Sequence, residues 1–204
     1  MVIHKDYPCN VDNYQRGRAQ PVSFLVFHYV GATGGAEANA KYYGRTPGIG
    51  ASAHYFVDRN AVMQSVDEGD TAWHCGSDHP RHPYCRNSNS IGIEMCDSVE
   101  GVPEDVRSLT VSLVQELMSR YGIDSSHVLR HYDVTGKRCP ARVVDNPVAW
   151  VELKSVLWGE DGGGQMALPA ECEPNGEPIP KWYTGGAWKG VRSYYNGASG
   201  KLAV

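Results

Sequence analysis

The sequence has no block of lysine and arginine: 19 basic residues stand against 23 acidic ones, for a formal net charge of -4. A chain without a basic run does not hold nucleic acid by neutralising phosphates. Nor does any stretch approach the ~18 apolar residues that a bilayer-crossing helix needs, so membrane insertion is not expected. The first ten residues, Met1 to Asn10, are polar and include Pro8 and Cys9. They lack the apolar middle of a secretory signal, so synthesis in the cytoplasm is expected. No CxxC pair occurs among the six cysteines, at 9, 75, 85, 96, 139 and 172. Free thiols are then the default, with one available as a metal ligand. Cys75 and Cys85 bracket a polar loop and stay open to bridging under oxidising conditions, because sequence proximity does not set disulfide geometry. The metallohydrolase signature HExxH is absent, and no internal repeat is evident.

What is present suits an ordinary globular domain with an appendage: 204 residues, 41% hydrophobic and 21% charged. Ser23–Val30 (SFLVFHYV) is a nearly continuous apolar run and reads as a buried central strand with His28 near its end. Ala36–Tyr43 reads as a short helix. Ala53–Asp58 and Ala61–Val66 read as strands of a hairpin turning at Arg59–Asn60. A long polar loop from Asp67 to Asn89 holds three of the eight histidines, and loops of that length are usually functional or mobile. Ser90–Cys96 alternates, with Ile91, Ile93 and Met95 on one face and Glu94 on the other. Pro103–Tyr121 carries an apolar stripe at helical spacing with Gly122 as a stop. Val128–Arg130 reads as a short strand leading to His131, and Asn146–Pro147 caps a last helix to about Trp158. The pattern predicts an α/β fold, a mixed central sheet flanked by helices. We therefore expect a catalytic domain over 1–158, a flexible linker over 159–165 (GEDGGGQ), and a small aromatic- and Gly-rich C-terminal element over 166–204.

The chemistry begins with His131 and Cys139. Seven residues separate them on a segment leaving a strand, which lets both turn back towards one point. Imidazole and thiolate are ligands that zinc prefers, and a catalytic zinc takes three protein ligands with a fourth position open. His28 is the third candidate. A lone histidine in an apolar strand is more often a hydrogen-bonded core residue, but beside His131 and Cys139 the ligand reading outweighs that one. Glu94, opposite the apolar face of its strand, either faces solvent or lines a pocket, where it would serve as general base. Lys137, two residues before Cys139, is either an ordinary surface lysine or a cation aimed at an oxyanion.

These residues lie within FHYVGA around His28, SAHYFVDR around His54, TAWHCG around His74, NSIGIEMC around Glu94 and RHYDVTGKRCP from Arg130. Five motifs in this order, over about residues 20–158, resemble the type 2 N-acetylmuramoyl-L-alanine amidases. That family includes phage and prophage endolysins and is related to peptidoglycan recognition proteins. The resemblance implies one zinc per chain on His28, His131 and Cys139, Glu94 as acid/base, and Lys137 as a stabiliser of the transition state. It implies bacterial peptidoglycan as substrate, cut between the sugar and L-alanine, and action at the wall after release from the cytoplasm. Some members carry a catalytic tyrosine where this chain has Ala53, so the Glu94-type branch is the one resembled, and His54 is expected to be structural or a pocket wall. His74 falls where the family lines its substrate groove. Substrate contact by Trp73 and His74 and plain loop structure both stay open, while His79 and His82 read as solvated loop residues. A peptidoglycan-binding module without catalysis is the rival class, disfavoured because Cys139 is present. A cytosolic recycling amidase remains a further alternative. The C-terminal element, with Trp182, Tyr183, Trp188, Tyr194 and Tyr195, suits wall binding or self-association into a homo-oligomer.

Overall fold

The computed structural model describes residues 1–96 and 104–157, together with one strand pair near the C-terminus. Along the chain these form β1 (Ile3–His4), β2 (Tyr14–Gln15), β3 (Phe24–Tyr29), α1 (Ala36–Arg45), β4 (Tyr55–Val57), β5 (Val62–Gln64) and β6 (Thr71–Ala72). There follow β7 (Ser90–Met95), α2 (Glu104–Tyr121), β8 (Val128–Arg130), α3 (His131–Thr135), α4 (Ala141–Asp145) and α5 (Pro147–Leu157). The chain divides into two compact units, Met1–Glu160 and Asp161–Val204. In the second, β9 (Tyr195–Asn196) pairs antiparallel with β10 (Lys201–Leu202). The linker expected over 159–165, and residues 166–204 apart from that strand pair, lie outside the described residues.

Six strands form a mixed sheet in the order β1-β5-β4-β7-β3-β8. Only the β4–β5 hairpin is antiparallel; β3 runs parallel to both β7 and β8, and β7 parallel to β4. The period of two along a strand sorts its residues between faces. Leu25 and Phe27 of β3, with Ile91, Ile93 and Met95 of β7, enter the main core, where they meet Val106, Leu113 and Leu117 of α2 and Trp150 and Leu153 of α5. Each such side chain, fully enclosed, contributes ~1.5–3 kcal/mol relative to exposure. The other parity faces away from these helices. There Phe24 and Val26 pack with Cys75, Cys85 and Leu129, and Phe56 packs with Ala36 and Ala40 of α1. Because β3 and β7 are in register, His28 stands opposite Glu94, and Val26 opposite Gly92, on this second face.

Three features differ from the sequence reading. The polar segment 67–89 is not one open loop: β6 pairs antiparallel with β2, and Cys75, His82 and Cys85 are buried. Part of its polar composition is satisfied internally, Asn87 Oδ1 accepting the N–H groups of His74 and Cys75. His82, expected to be solvated, accepts the backbone N–H groups of Tyr84 and Cys85 at its Nδ1 (3.2 and 2.9 Å) and packs edge-on against Phe24. Lastly, the segment that leaves β8 is helical at once, and His131 begins α3. Cys75 and Cys85 are free thiols in one cluster. Among the described residues no helix is long and apolar enough to cross a membrane.

Candidate metal centre and active site

His28, the penultimate residue of β3, reaches the second sheet face opposite Glu94 of β7. His131 and Cys139 arrive from the segment after β8, and local bonding explains how their spacing closes. Arg130 is almost wholly buried; it bonds both carboxylate oxygens of Asp133 and the carbonyl of Val143, and stacks near Trp150. That anchor pins the corner between β8 and α3. Gly136 then ends α3 at φ +87°, a left-handed conformation that glycine adopts without Cβ strain. Tyr132 N–H bonds the carbonyl of Cys139 (3.0 Å), returning the chain beside its starting point. The ligand atoms of His28, His131 and Cys139 consequently lie within 4.8 Å of one another, all three residues buried. Cys139 Sγ is 3.9 Å from His28 Nδ1.

Burial removes water from these groups and sets their charge. Desolvation, reinforced by the neighbouring imidazoles and Lys137, holds His28 well below the ordinary histidine value. Desolvation and Lys137 bring His131 down to about 4. Both rings are therefore neutral at pH 7, the form in which imidazole ligates a metal. Burial and the nearby Glu94 push the Cys139 thiol up to about 12, so it ionises only against a cation. His131 Nδ1 is enclosed with no hydrogen-bond partner, as is Glu94 Oε2. Buried polar atoms are nearly always paired, and an orphaned ring nitrogen within a His, His, Cys cluster fits a metal site.

Glu94 lines the same cavity, and desolvation raises its carboxyl to about 7 against the opposing fields of His74 and Lys137. The cavity is about 190 Å3, and all seven residues singled out from sequence line it: His28, Trp73, His74, Glu94, His131, Lys137 and Cys139. Lys137 stands exposed at its rim. Trp73 is held by Ser52, which exchanges backbone and hydroxyl bonds with it (2.9 Å each). An adjoining groove shares Ala51, Trp73, His74, His131 and Lys137 with the cavity and continues past Gly76 and Asn87. Tyr29, Tyr43 and Ser52 also line the cavity; a tyrosine or serine beside a motif carries no spacing signal that would mark it in the sequence. His54 is fully buried, its Nδ1 accepting the N–H of Gly92 (3.0 Å) and its Nε2 facing Arg18.

Two neutral imidazoles, one thiol and a carboxyl around one cavity on a mixed sheet have the make-up of a metal-assisted hydrolytic site. The family model described as N-acetylmuramoyl-L-alanine amidase matches residues 18–142, and the chain belongs to that family. It is similar to the N-acetylmuramoyl-L-alanine amidase CwlH of Bacillus subtilis (strain 168), 30% identical over 180 residues covering 86% of this chain and 69% of CwlH. Similarity to the amidase BlyA of the same strain is 29% over 180 residues, 80% of this chain and 49% of BlyA. A solved structure of a mutant endolysin from Bacillus subtilis matches with a TM-score of 0.65 and 26% identity, covering 77% of this chain and 99% of that one. The chain spans only 36% to 49% of the length of several curated relatives that it matches.

Proposed function

We propose that this chain is a zinc-dependent amidase that hydrolyses the bond between N-acetylmuramic acid and L-alanine in bacterial peptidoglycan, working as an endolysin. The observation that carries the proposal is the buried convergence of His28, His131 and Cys139 beside Glu94 in a single cavity. Membership of the amidase family supports the reaction, and likeness to the Bacillus subtilis endolysin structure supports the role.

His28, His131 and Cys139 would hold one zinc per chain. Two neutral histidines and one thiolate leave the bound ion a net positive charge, which polarises a carbonyl and acidifies a water. The remaining work belongs to the protein. Glu94, with one oxygen enclosed and its proton affinity near neutrality, takes a proton from the attacking water and returns it to the L-alanine nitrogen as the C–N bond breaks. Lys137 presents its ammonium to the oxygen that gains negative charge. Trp73 offers an apolar face for the glycan and stem peptide, and the groove beyond it adds the polar side chains of Ser77, Asn87 and Thr135. In this scheme residues 1–158 form the catalytic unit, and the aromatic segment 166–204 contributes wall binding or self-association.

The test combines metal analysis with digestion of purified cell walls, with and without a chelator. One zinc per chain, and chelator-sensitive release of peptides bearing a free L-alanine amine without new reducing ends, is the expected result. Zinc without cleavage would favour a binding module, and cleavage confined to soluble muropeptides would favour a recycling amidase. Cleavage indifferent to chelator, by protein free of metal, would overturn the ligand assignment.

A further inference from the structure

Polar side chains on the second sheet face continue beyond the candidate ligands. His28 Nε2 lies 3.0 Å from Nδ1 of His74, and the two rings meet edge-on. His74 Nε2 lies 3.1 Å from the hydroxyl of Ser90, and Ser90 Oγ lies 2.7 Å from the carbonyl of Arg86. Only the last contact has a direction fixed by chemistry alone, since a carbonyl cannot donate. Ser90 therefore spends its single proton on Arg86. Its lone pairs face His74, which donates from Nε2; in the neutral imidazole, with one donor and one acceptor nitrogen, this leaves Nδ1 bare. A bare Nδ1 on His74 accepts, and His28 must carry its own proton on Nε2. The free lone pair of His28 is then on Nδ1, the atom 3.9 Å from the Cys139 sulfur.

We infer that His74, backed by Ser90, is a positioning residue that fixes the tautomer and ring orientation of His28, so that Nδ1 faces the metal. The inference rests on His28 being a metal ligand, as proposed above. It differs from the substrate-contact reading of His74, because both ring nitrogens are engaged within the protein and none is left to bond a substrate.

Independent features hold His74 in place. Asn87 Oδ1 accepts the backbone N–H groups of His74 and Cys75 (3.1 and 2.8 Å). The ring itself lies over Gly92, where a Cβ would come within 2.5–2.8 Å of three ring atoms. Strand β7 thus supplies the serine that orients His74 and, two residues on, the bare backbone that makes room for it. Partners of this kind commonly change metal affinity by ~10–100-fold when removed.

The first measurement is on the wild-type apoprotein, labelled with 15N-histidine, using long-range 1H–15N NMR to read each ring's tautomer. His28 and His74 are both expected with the proton on Nε2; a proton on Nδ1 of His28 would overturn the inference. The second is zinc affinity by chelator competition for H74L, S90A and G92A, beside the absorption of the cobalt-substituted proteins. Each variant is expected to bind zinc ~10–100-fold more weakly, with altered cobalt bands and one ion still bound per chain. H74N, whose carboxamide oxygen can accept from His28, should recover part of the loss. Wild-type affinity in H74L would refute the positioning role while leaving the metal site standing, whereas a wild-type protein that binds no zinc would fail the earlier proposal instead. If H74L does not fold, the tautomer measurement still decides.

Discussion

A carboxyl with one oxygen enclosed, and only the fields of His74 and Lys137 to offset lost hydration, keeps its proton up to about pH 7. That places Glu94 where a group can both accept and release a proton at neutral pH. Replacing it with glutamine preserves shape and removes the exchange. E94Q is expected to lose ~10^2–10^4-fold in turnover with zinc content unchanged; near wild-type turnover of metal-loaded E94Q would defeat the assignment. Lys137 is predicted to act on the transition state alone. K137M should lower kcat by ~10^2–10^3-fold, as loss of an oxyanion donor does, with little change in zinc affinity or KM. A raised KM at constant kcat would instead make it a binding residue. At this scale the sequence was informative wherever residue type restricts chemistry. Histidine and cysteine in a strand and in the segment after another strand have few roles, so His28, His131 and Cys139 could be singled out before their distances were known. The contact of His74 with His28 could not be read, because it joins residues 46 positions apart through a loop whose path no local pattern sets.

Elements position these groups through their ends. Strands β3 and β7 were legible from apolar content and alternation, and their parallel register brings His28 opposite Glu94. The helices α2 and α5 were legible from their apolar stripe and from Asn146, whose Oδ1 accepts the N–H of Val148 at the start of α5 (3.1 Å). Short pieces were not. The two-residue strands β1, β2 and β6 lie below the length at which periodicity exists, and α3 is only five residues long. The importance of α3 lies in its exit: Gly136 reverses the chain at a positive φ so that Cys139 returns towards His131. In G136A the new Cβ would meet the Arg81 side chain at 2.7 Å, and left-handed backbone costs an L-residue ~1–2 kcal/mol. Arg81 can swing away, so the backbone term governs. G136A is expected to be less stable by that amount and to bind zinc more weakly, as measured by calorimetry and chelator competition. A loss of stability with zinc affinity untouched would separate this turn from the metal site.

Over the whole molecule, the described part of Met1–Glu160 contains the sheet, its helices and every candidate site residue. A chain ending at residue 160 is therefore expected to retain zinc binding and cleavage of soluble muropeptides. Its affinity for intact walls should fall, read by co-sedimentation, if the aromatic segment after it serves as an anchor; unchanged co-sedimentation would dismiss that role. Stability of the larger unit also depends on a cross-tie centred on Glu68. Glu68 accepts hydrogen bonds from Tyr55 of β4 and Tyr121 at the end of α2, and pairs with Arg120 at 2.6 Å. Burial alone would raise its pKa, but the bonds from Tyr121, Tyr55 and Arg120 outweigh that and leave it below the usual glutamate value. The unfolded chain then binds the proton more readily than the folded one, so this contribution is complete above the unfolded value of ~4.3. It disappears as pH falls through the lower folded value. E68Q keeps an acceptor but loses the charge, and should cost ~1–2 kcal/mol at pH 7, the lower part of the range for charged hydrogen bonds because the site is partly solvated. Comparing the two proteins by denaturant titration cancels the other titrating groups. The gap is expected to hold from pH 8 down to about 5 and to close below about 4; a gap constant across that range would mean that the tie acts through shape and packing and not through charge.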